Sequence, residues 1–247
     1  MVKDSENQIQ ALKEYYFDLR FDEKSWSDML EAEEILKEDF KKVNIGVALS
    51  PFTFVPQDLF EEDKARDYLS HLMQLEKDDR VQANLVPEMN AYILFVLPFW
   101  LDKRLADLPG TKALEHLSVR LLQRAKAESE DSDQPFLWAH LGNSSVWLGA
   151  IENSELKYAN SFPFESENDA LYFLLLLFDH TGLAPDRTTL HLSGKIDPDR
   201  ALFKNLVRFV AQPEFWQKPE ALTFGPQLAE YPSHWFFDLL SLDKVND

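Results

Sequence analysis

Residues Phe136 to Ile196 constrain the fold more than any other stretch, because they set out two strands joined by a tight turn, a third strand, one helix and a fourth strand in unbroken succession. Phe136–His140 and Val146–Ile151 are rich in aromatic and β-branched residues and flank Gly142-Asn143-Ser144-Ser145, a turn composition. Glu152-Asn153-Ser154 turns the chain again into Leu156–Phe164. Ser166 then offers an N-cap for a strongly apolar helix from about Asn168 to His180. Gly182 closes that helix, since glycine takes the left-handed C-terminal conformation without strain. Thr188–Leu192 follows as the fourth strand.

That order is the order of a ribonuclease H-like unit, a mixed sheet with helices on its faces. The rest of the chain repeats part of it. Tyr15–Phe21 reads as a strand, and Ser25-Trp26-Ser27-Asp28 supplies cap chemistry for a helix whose apolar face is Met29, Ala32, Ile35, Leu36 and Phe40. Val43–Leu49 is a second strand that continues past Pro51 into FTFV. A charge-rich helix is expected from Gln57 to about Leu75, an exposed strand over Asp79–Leu85, and a strand buried on both faces over Ala91–Leu97. Short helices are expected over Leu101–Leu108 and Leu117–Ala127. Beyond the first helix of the second half, Asp197-Pro198 opens a helix over Asp199–Val210, Leu222–Phe224 is a short strand, and Pro232–Leu242 is a last helix. Strand, helix, strand at Tyr15, Trp26 and Val43 matches strand, helix, strand at Leu156, Asn168 and Thr188, which implies a duplication. Only fourteen polar-rich residues precede Tyr15, so the first copy is expected to lack the opening hairpin of the second. ESEDSDQ, Glu128–Gln134, is the linker, dividing the chain into 1–134 and 135–247.

The balance of charge removes several function classes. Lys plus Arg at 25 against Asp plus Glu at 43 gives 25 − 43 = −18, with no basic stripe to neutralise phosphates. Nucleic acid and anionic membrane surfaces are excluded as expected partners, and the acid reads as a solvated surface. With no cysteine there is no disulfide framework, thiol nucleophile or thiolate metal site. The first ten residues lack the apolar segment of a signal peptide, and Ala91–Leu101 and Leu171–Phe178 are too short to span a bilayer, so a cytoplasmic location is expected. The six histidines show no metal-binding spacing; His140 and His191 approach one another only if their strands are neighbours, and they lack a third ligand. No nucleophile elbow, Walker loop or dinucleotide fingerprint occurs.

VNIGVALSPFTFVPQDLF (Val43–Phe60), NAYILFVLPFWL (Asn90–Leu101), YANSFPFESENDALYFLLLLFDHTGL (Tyr158–Leu183) and LHLSGKID (Leu190–Asp197) together resemble a bacterial family of unassigned function with an actin-like ATPase fold. A more distant likeness runs to the cytoplasmic actin-like subunits of pilus-assembly and type II secretion machines, which serve as scaffolds. The resemblance implies two ribonuclease H-like subdomains with a cleft between them.

It also implies where a nucleotide would sit. Active members of the fold place an acid at the end of the first strand of each half, near Mg²⁺, and small residues in the following turn. Here the second-half positions are His140-Leu141-Gly142, then Asn143, Ser144 and Ser145. A neutral imidazole does not replace a carboxylate near Mg²⁺. The adenine-contacting loop corresponds to Leu192-Ser193-Gly194-Lys195, with one glycine where two are usual, and Glu115 stands in the region of a water-activating residue. The candidate cofactor-binding residues are therefore Gly142, Asn143, Ser144, Ser145, Gly194 and Lys195, with no catalytic or metal-ligating set. The expected function is a catalytically inactive actin-like binding or scaffold module without a cofactor, recognising a protein partner. The alternative is a divergent ATP-binding protein or phosphotransferase holding ATP and Mg²⁺ in the cleft. Phe52, Phe54, Trp138, Trp147, Phe162, Phe164, Trp235 and Phe236 are expected in the core; Trp147 or Trp235-Phe236 at the surface would mark a partner patch.

Overall fold

A computed structural model describes residues 1–15, 22–38, 40–108, 110–130 and 134–243. The strand expected over Tyr15–Phe21 falls almost wholly outside the described residues, as does the middle of the expected linker. The chain opens with a short antiparallel hairpin, β1 (Val2–Lys3) and β2 (Gln8–Ala11), turning through Asn7 at φ 61°. Helix α1 (Glu23–Ala32) is capped by Asp22, three residues before the expected cap stretch at Ser25. Asp22 accepts the Ser25 N–H at 2.8 Å, and Ser25 Oγ accepts the Asp22 N–H at 3.1 Å, a reciprocal cap. The helix stops at Ala32 and only a 3₁₀ turn, Glu34–Lys37, continues it.

Strands β3 (Lys42–Val47) and β4 (Phe52–Pro56) enter different sheets rather than forming one long strand. The helix expected from Gln57 to Leu75 is reduced to two 3₁₀ turns and α2 (Ala65–Ser70), in which Leu69 alone is buried. Helix α2 docks on Val55, Leu94 and Val96 through Ala65, Tyr68 and Leu69, while Glu61-Glu62-Asp63-Lys64 before it has no apolar residue to extend that face. Then come β5 (Arg80–Val86), β6 (Ala91–Leu97), α3 (Phe99–Ala106), the unexpected β7 (Thr111–His116) and α4 (Leu117–Ser129). The sheet order is β4-β6-β5, all antiparallel, beside a parallel pair β3-β7. Asn84 of β5 joins the two sheets: it accepts the His116 N–H at 2.7 Å and donates to the Leu114 carbonyl at 3.4 Å.

The second half is closer to expectation. Its elements are β8 (Phe136–Leu141), β9 (Ser145–Glu152), β10 (Glu155–Pro163), α5 (Glu167–Thr181), β11 (Leu190–Gly194), α6 (Ala201–Leu206), β12 (Pro213–Phe215), β13 (Thr223–Phe224) and α7 (Phe237–Ser241). The last follows a 3₁₀ turn at Ser233–Phe236. The five-stranded sheet runs β10-β9-β8-β11-β12, antiparallel through the two hairpins and parallel from β8 onward, because β11 and β12 are reached through helices. Both halves thus place three antiparallel strands beside two parallel ones. A hairpin does precede the first half, but β2 pairs with β13 in parallel rather than with β3.

Burial follows the two-residue period of β8. Leu137, Ala139 and Leu141 face α5 and α6, packing with Leu174, Leu177 and Phe178. Phe136 and Trp138 face the other way, into a core shared with α4, β6 and Phe237. Trp147 and Phe236 are buried, as expected of core residues, so they do not mark a partner patch.

Candidate functional site

The C-terminal ends of parallel strands β8 and β11 lie side by side, with Ser193 opposite His140 and Gly194 opposite Leu141. Open α/β sheets bind ligands at such strand ends, so this is where a nucleotide site is to be looked for. Gly194 sits at φ +85°, and a Cβ there would stand 2.0 Å from the Leu141 carbonyl oxygen. Only glycine fits so close a crossing. The next residue, Lys195, donates its backbone N–H to that same carbonyl at 2.6 Å, and the Ile196 N–H bonds back to the Gly194 carbonyl at 2.8 Å. In the hairpin turn the Gly142 N–H is bonded to the Ser145 carbonyl at 2.8 Å, and the Ser144 carbonyl accepts the Phe164 N–H at 2.9 Å. Three of the backbone donors that an anion would seek at these strand ends are already used inside the protein.

The space over these strand ends is about 70 Å³, lined by Glu14, His140, Gly142, Asn143, Lys195 and Trp235 with Phe236 and Asp238. Small-molecule sites are on the order of 300 to 1,000 Å³. Of the candidate residues, Gly142, Asn143 and Lys195 are brought together here. Ser144, Ser145 and Gly194 support the turns but do not line the space. The Lys195 ammonium is held at 2.7 Å by the Glu14 carboxylate and lies over the rings of Trp235 and Phe236, at 5.6 and 4.9 Å from their centroids. Glu14 and Asp238, both unforeseen, set two carboxylates against one ammonium, a field that opposes phosphate.

His140 is 2 % exposed, and its Nδ1 lies 3.0 Å from Ser193 Oγ. Burial pushes its imidazole below the ordinary histidine value; the carboxylate of Asp238 opposes this and the Lys195 ammonium reinforces it. His191 does share the neighbouring strand. Its ring, however, stacks on Phe136 at 4.1 Å while His140 takes Ser193, so the two imidazoles have separate partners. Glu115 is tied as well: the Arg120 guanidinium meets its carboxylate at 2.5 Å and reaches Gln123 at 2.9 Å. Beside it His116 caps α4, accepting the Ser118 N–H at Nδ1 (3.2 Å) while Nε2 bonds the Leu49 carbonyl at 2.7 Å.

A larger groove lies elsewhere, about 710 Å³ along the N-terminal half of β5. Among the described residues no helix is long and apolar enough to cross a membrane.

Residues 1–212 match a family described as "Protein of unknown function (DUF3822)". The fold is similar to that of a protein of unknown function with an actin-like ATPase fold from Bacteroides thetaiotaomicron VPI-5482, at 24% identity and a TM-score of 0.75 over 84% of this chain and 81% of that one. It is also similar to the PilM–PilN type IV pilus biogenesis complex, at 12% identity and a TM-score of 0.57 over 89% of this chain and 83% of that one. No curated protein matches in sequence.

Proposed function

This chain belongs to that family of unknown function and is built on the actin-like ATPase fold, and from that premise we propose that it is a catalytically inactive, cytoplasmic, bacterial binding or scaffold module, using the fold to hold a protein partner rather than to turn over ATP. The observation that carries this reading is the crevice at the ends of β8 and β11. It is too small for a nucleotide, and its one lysine is already engaged with Glu14 and two aromatic rings. By the resemblance, His140 takes the position at which active members of the fold carry a carboxylate for Mg²⁺, and its partner here is a serine hydroxyl. The similar fold of PilM occurs in a complex with PilN, which supports a protein as the partner of this fold.

A divergent ATP-binding protein or phosphotransferase is the second reading, favoured by one observation: Gly142, Asn143 and Lys195 do converge on one space. Thermal unfolding with and without millimolar Mg-ATP separates the two. A ligand at 100 times its Kd stabilises by about 2.7 kcal/mol, which raises Tm by roughly 5 to 11 °C in a chain of this size. The binding-module reading expects no shift, and a reproducible shift overturns it.

A further inference from the structure

Strand β5 is an edge. It pairs with β6 on one side only, and on the other side its C-terminal half meets β7 through the Asn84 side chain, not through a backbone ladder. Its N-terminal half, Arg80 to Ala83, opens on the groove of about 710 Å³. An open strand edge presents unpaired N–H and C=O groups, and soluble proteins ordinarily cover or blunt such an edge. Among the described residues no second strand pairs along Arg80–Ala83. Instead Phe60 stands in the groove wall with Ala65 and Arg66, and Phe99, 37 % exposed, stands with it. Four residues of strand extend over about 13 Å, the length of a short peptide strand.

The charges say what would fit. The groove carries Glu62, Asp63, Asp78 and Asp79 against Arg66, Lys77 and Arg80. Arg66 donates to the carbonyls of Glu76 and Asp79, both at 2.8 Å, and keeps its charge, while the Arg80 guanidinium lies 5.9 Å from the Phe99 ring centroid. None of the ion pairs formed among the described residues uses Glu62, Asp63 or Asp78. Among the described residues Lys77 and Arg80 form no ion pair either, so the acids of the groove exceed its bases by one, four to three, in a protein of net charge −18.

We infer that this groove is a docking site for an extended segment of a partner protein, which adds as a strand along Arg80–Ala83, sets aliphatic side chains against Phe60 and Phe99, and places Lys or Arg against Glu62, Asp63 and Asp78. Main-chain bonds along β5 supply affinity, and alternate side chains supply choice of sequence. The inference rests on the reading that the protein works by binding another protein, but its test is separate from the Mg-ATP experiment.

The probe is a fluorescein-labelled peptide of alternating valine and lysine or arginine, with a second peptide N-methylated at alternate amides and a third bearing glutamate in place of the basic residues. Fluorescence anisotropy at physiological salt reads affinity, and amide hydrogen exchange locates the site. The basic peptide binds and slows exchange over Arg80–Ala83 while leaving Gly142 and Lys195 unchanged. Removing two main-chain bonds by N-methylation weakens it about tenfold. The exposed double variant Glu62→Lys/Asp63→Lys weakens it by a similar factor, and the glutamate peptide does not bind. Equal binding by the N-methylated peptide, indifference to the double variant, or no slowing over Arg80–Ala83 overturns the proposal. So does dimerisation in light scattering that Ala83→Lys abolishes, which gives the edge to a second copy of the chain. A failed peptide assay alongside no Mg-ATP shift rejects the groove alone; a Mg-ATP shift rejects the binding-module reading whatever the peptide does.

Discussion

His116 is buried with both ring nitrogens engaged, and the partners dictate its tautomer. A carbonyl can only accept, so Nε2 carries the hydrogen that Leu49 receives. A backbone N–H can only donate, so Nδ1 keeps its lone pair for Ser118. Protonating Nδ1 would break the cap of α4 and place a charge beside the Phe52 and Phe95 rings. Burial accordingly lowers the imidazole to about 4, with the hydrogen bond to Leu49 opposing the shift. The unfolded chain protonates this group near its ordinary 6.5, so between pH 6.5 and about 4 the unfolded state binds more protons and stability falls as pH falls. The span corresponds to about 3 kcal/mol from this one residue. His116→Asn keeps a donor and an acceptor but cannot titrate. Urea unfolding at pH 7 and pH 4.5 should show the variant losing about 2 to 3 kcal/mol less than the native protein across that step. An identical loss in both would assign the acid sensitivity to His140, His191 and His234, which burial also lowers.

Helix α5 shows what local chemistry achieves at the next scale. Ser166 Oγ accepts the Asp169 N–H at 3.2 Å, Asp169 accepts the Ser166 N–H at 2.9 Å, and Gly182 ends the helix at φ 69°. Ser166→Ala should cost about 1 kcal/mol, read from the urea midpoint at unchanged m-value. The same locality made this helix and the β8–β9–β10 hairpins legible in sequence, since turns, caps and apolar runs are written within a few residues of where they act. Strand β7 was not legible. Its ladder partner β3 lies far away in sequence, and TKALEH carries no apolar alternation. Three-residue β12, held only against β11, is hidden for the same reason. The error at Gln57–Leu75 was of another kind: charge favours helix, but only Ala65, Tyr68 and Leu69 give a helical face that docks on the sheet, and the acidic residues before them do not extend it. At the candidate site, the convergence of Gly142, Asn143 and Lys195 followed from the ends of two strands expected in one sheet. Their closure by Glu14, Trp235, Phe236 and Asp238 joins segments far apart in the chain, and no periodicity encodes that.

In the whole molecule, the first and last described segments hold one another. β2 runs parallel to β13, with the Thr223 N–H bonded to Asn7 at 3.2 Å and the Gly225 N–H to Ile9 at 3.0 Å. Lys3 is paired with Asp243. Ile9 is fully buried among Leu222, Phe236 and Leu240, so the hairpin rests on the same C-terminal segment that closes the crevice. Truncating that one side chain should therefore act on both. Ile9→Ala is expected to cost about 2 to 5 kcal/mol locally, and amide exchange should quicken at Thr223–Gly225 and through Trp235–Leu239 while β8, β9 and β11 keep their protection. Equal quickening throughout the five-stranded sheet would mean that the hairpin and the sheet unfold as one unit. The variant also asks what keeps nucleotide out. Loosening the C-terminal segment leaves the N–H groups of Gly142 and Lys195 bonded within the strand ends, so Mg-ATP should still produce no shift in Tm. A shift in Ile9→Ala and none in the native chain would make the N-terminal hairpin, rather than the chemistry of the strand ends, the element that closes the site.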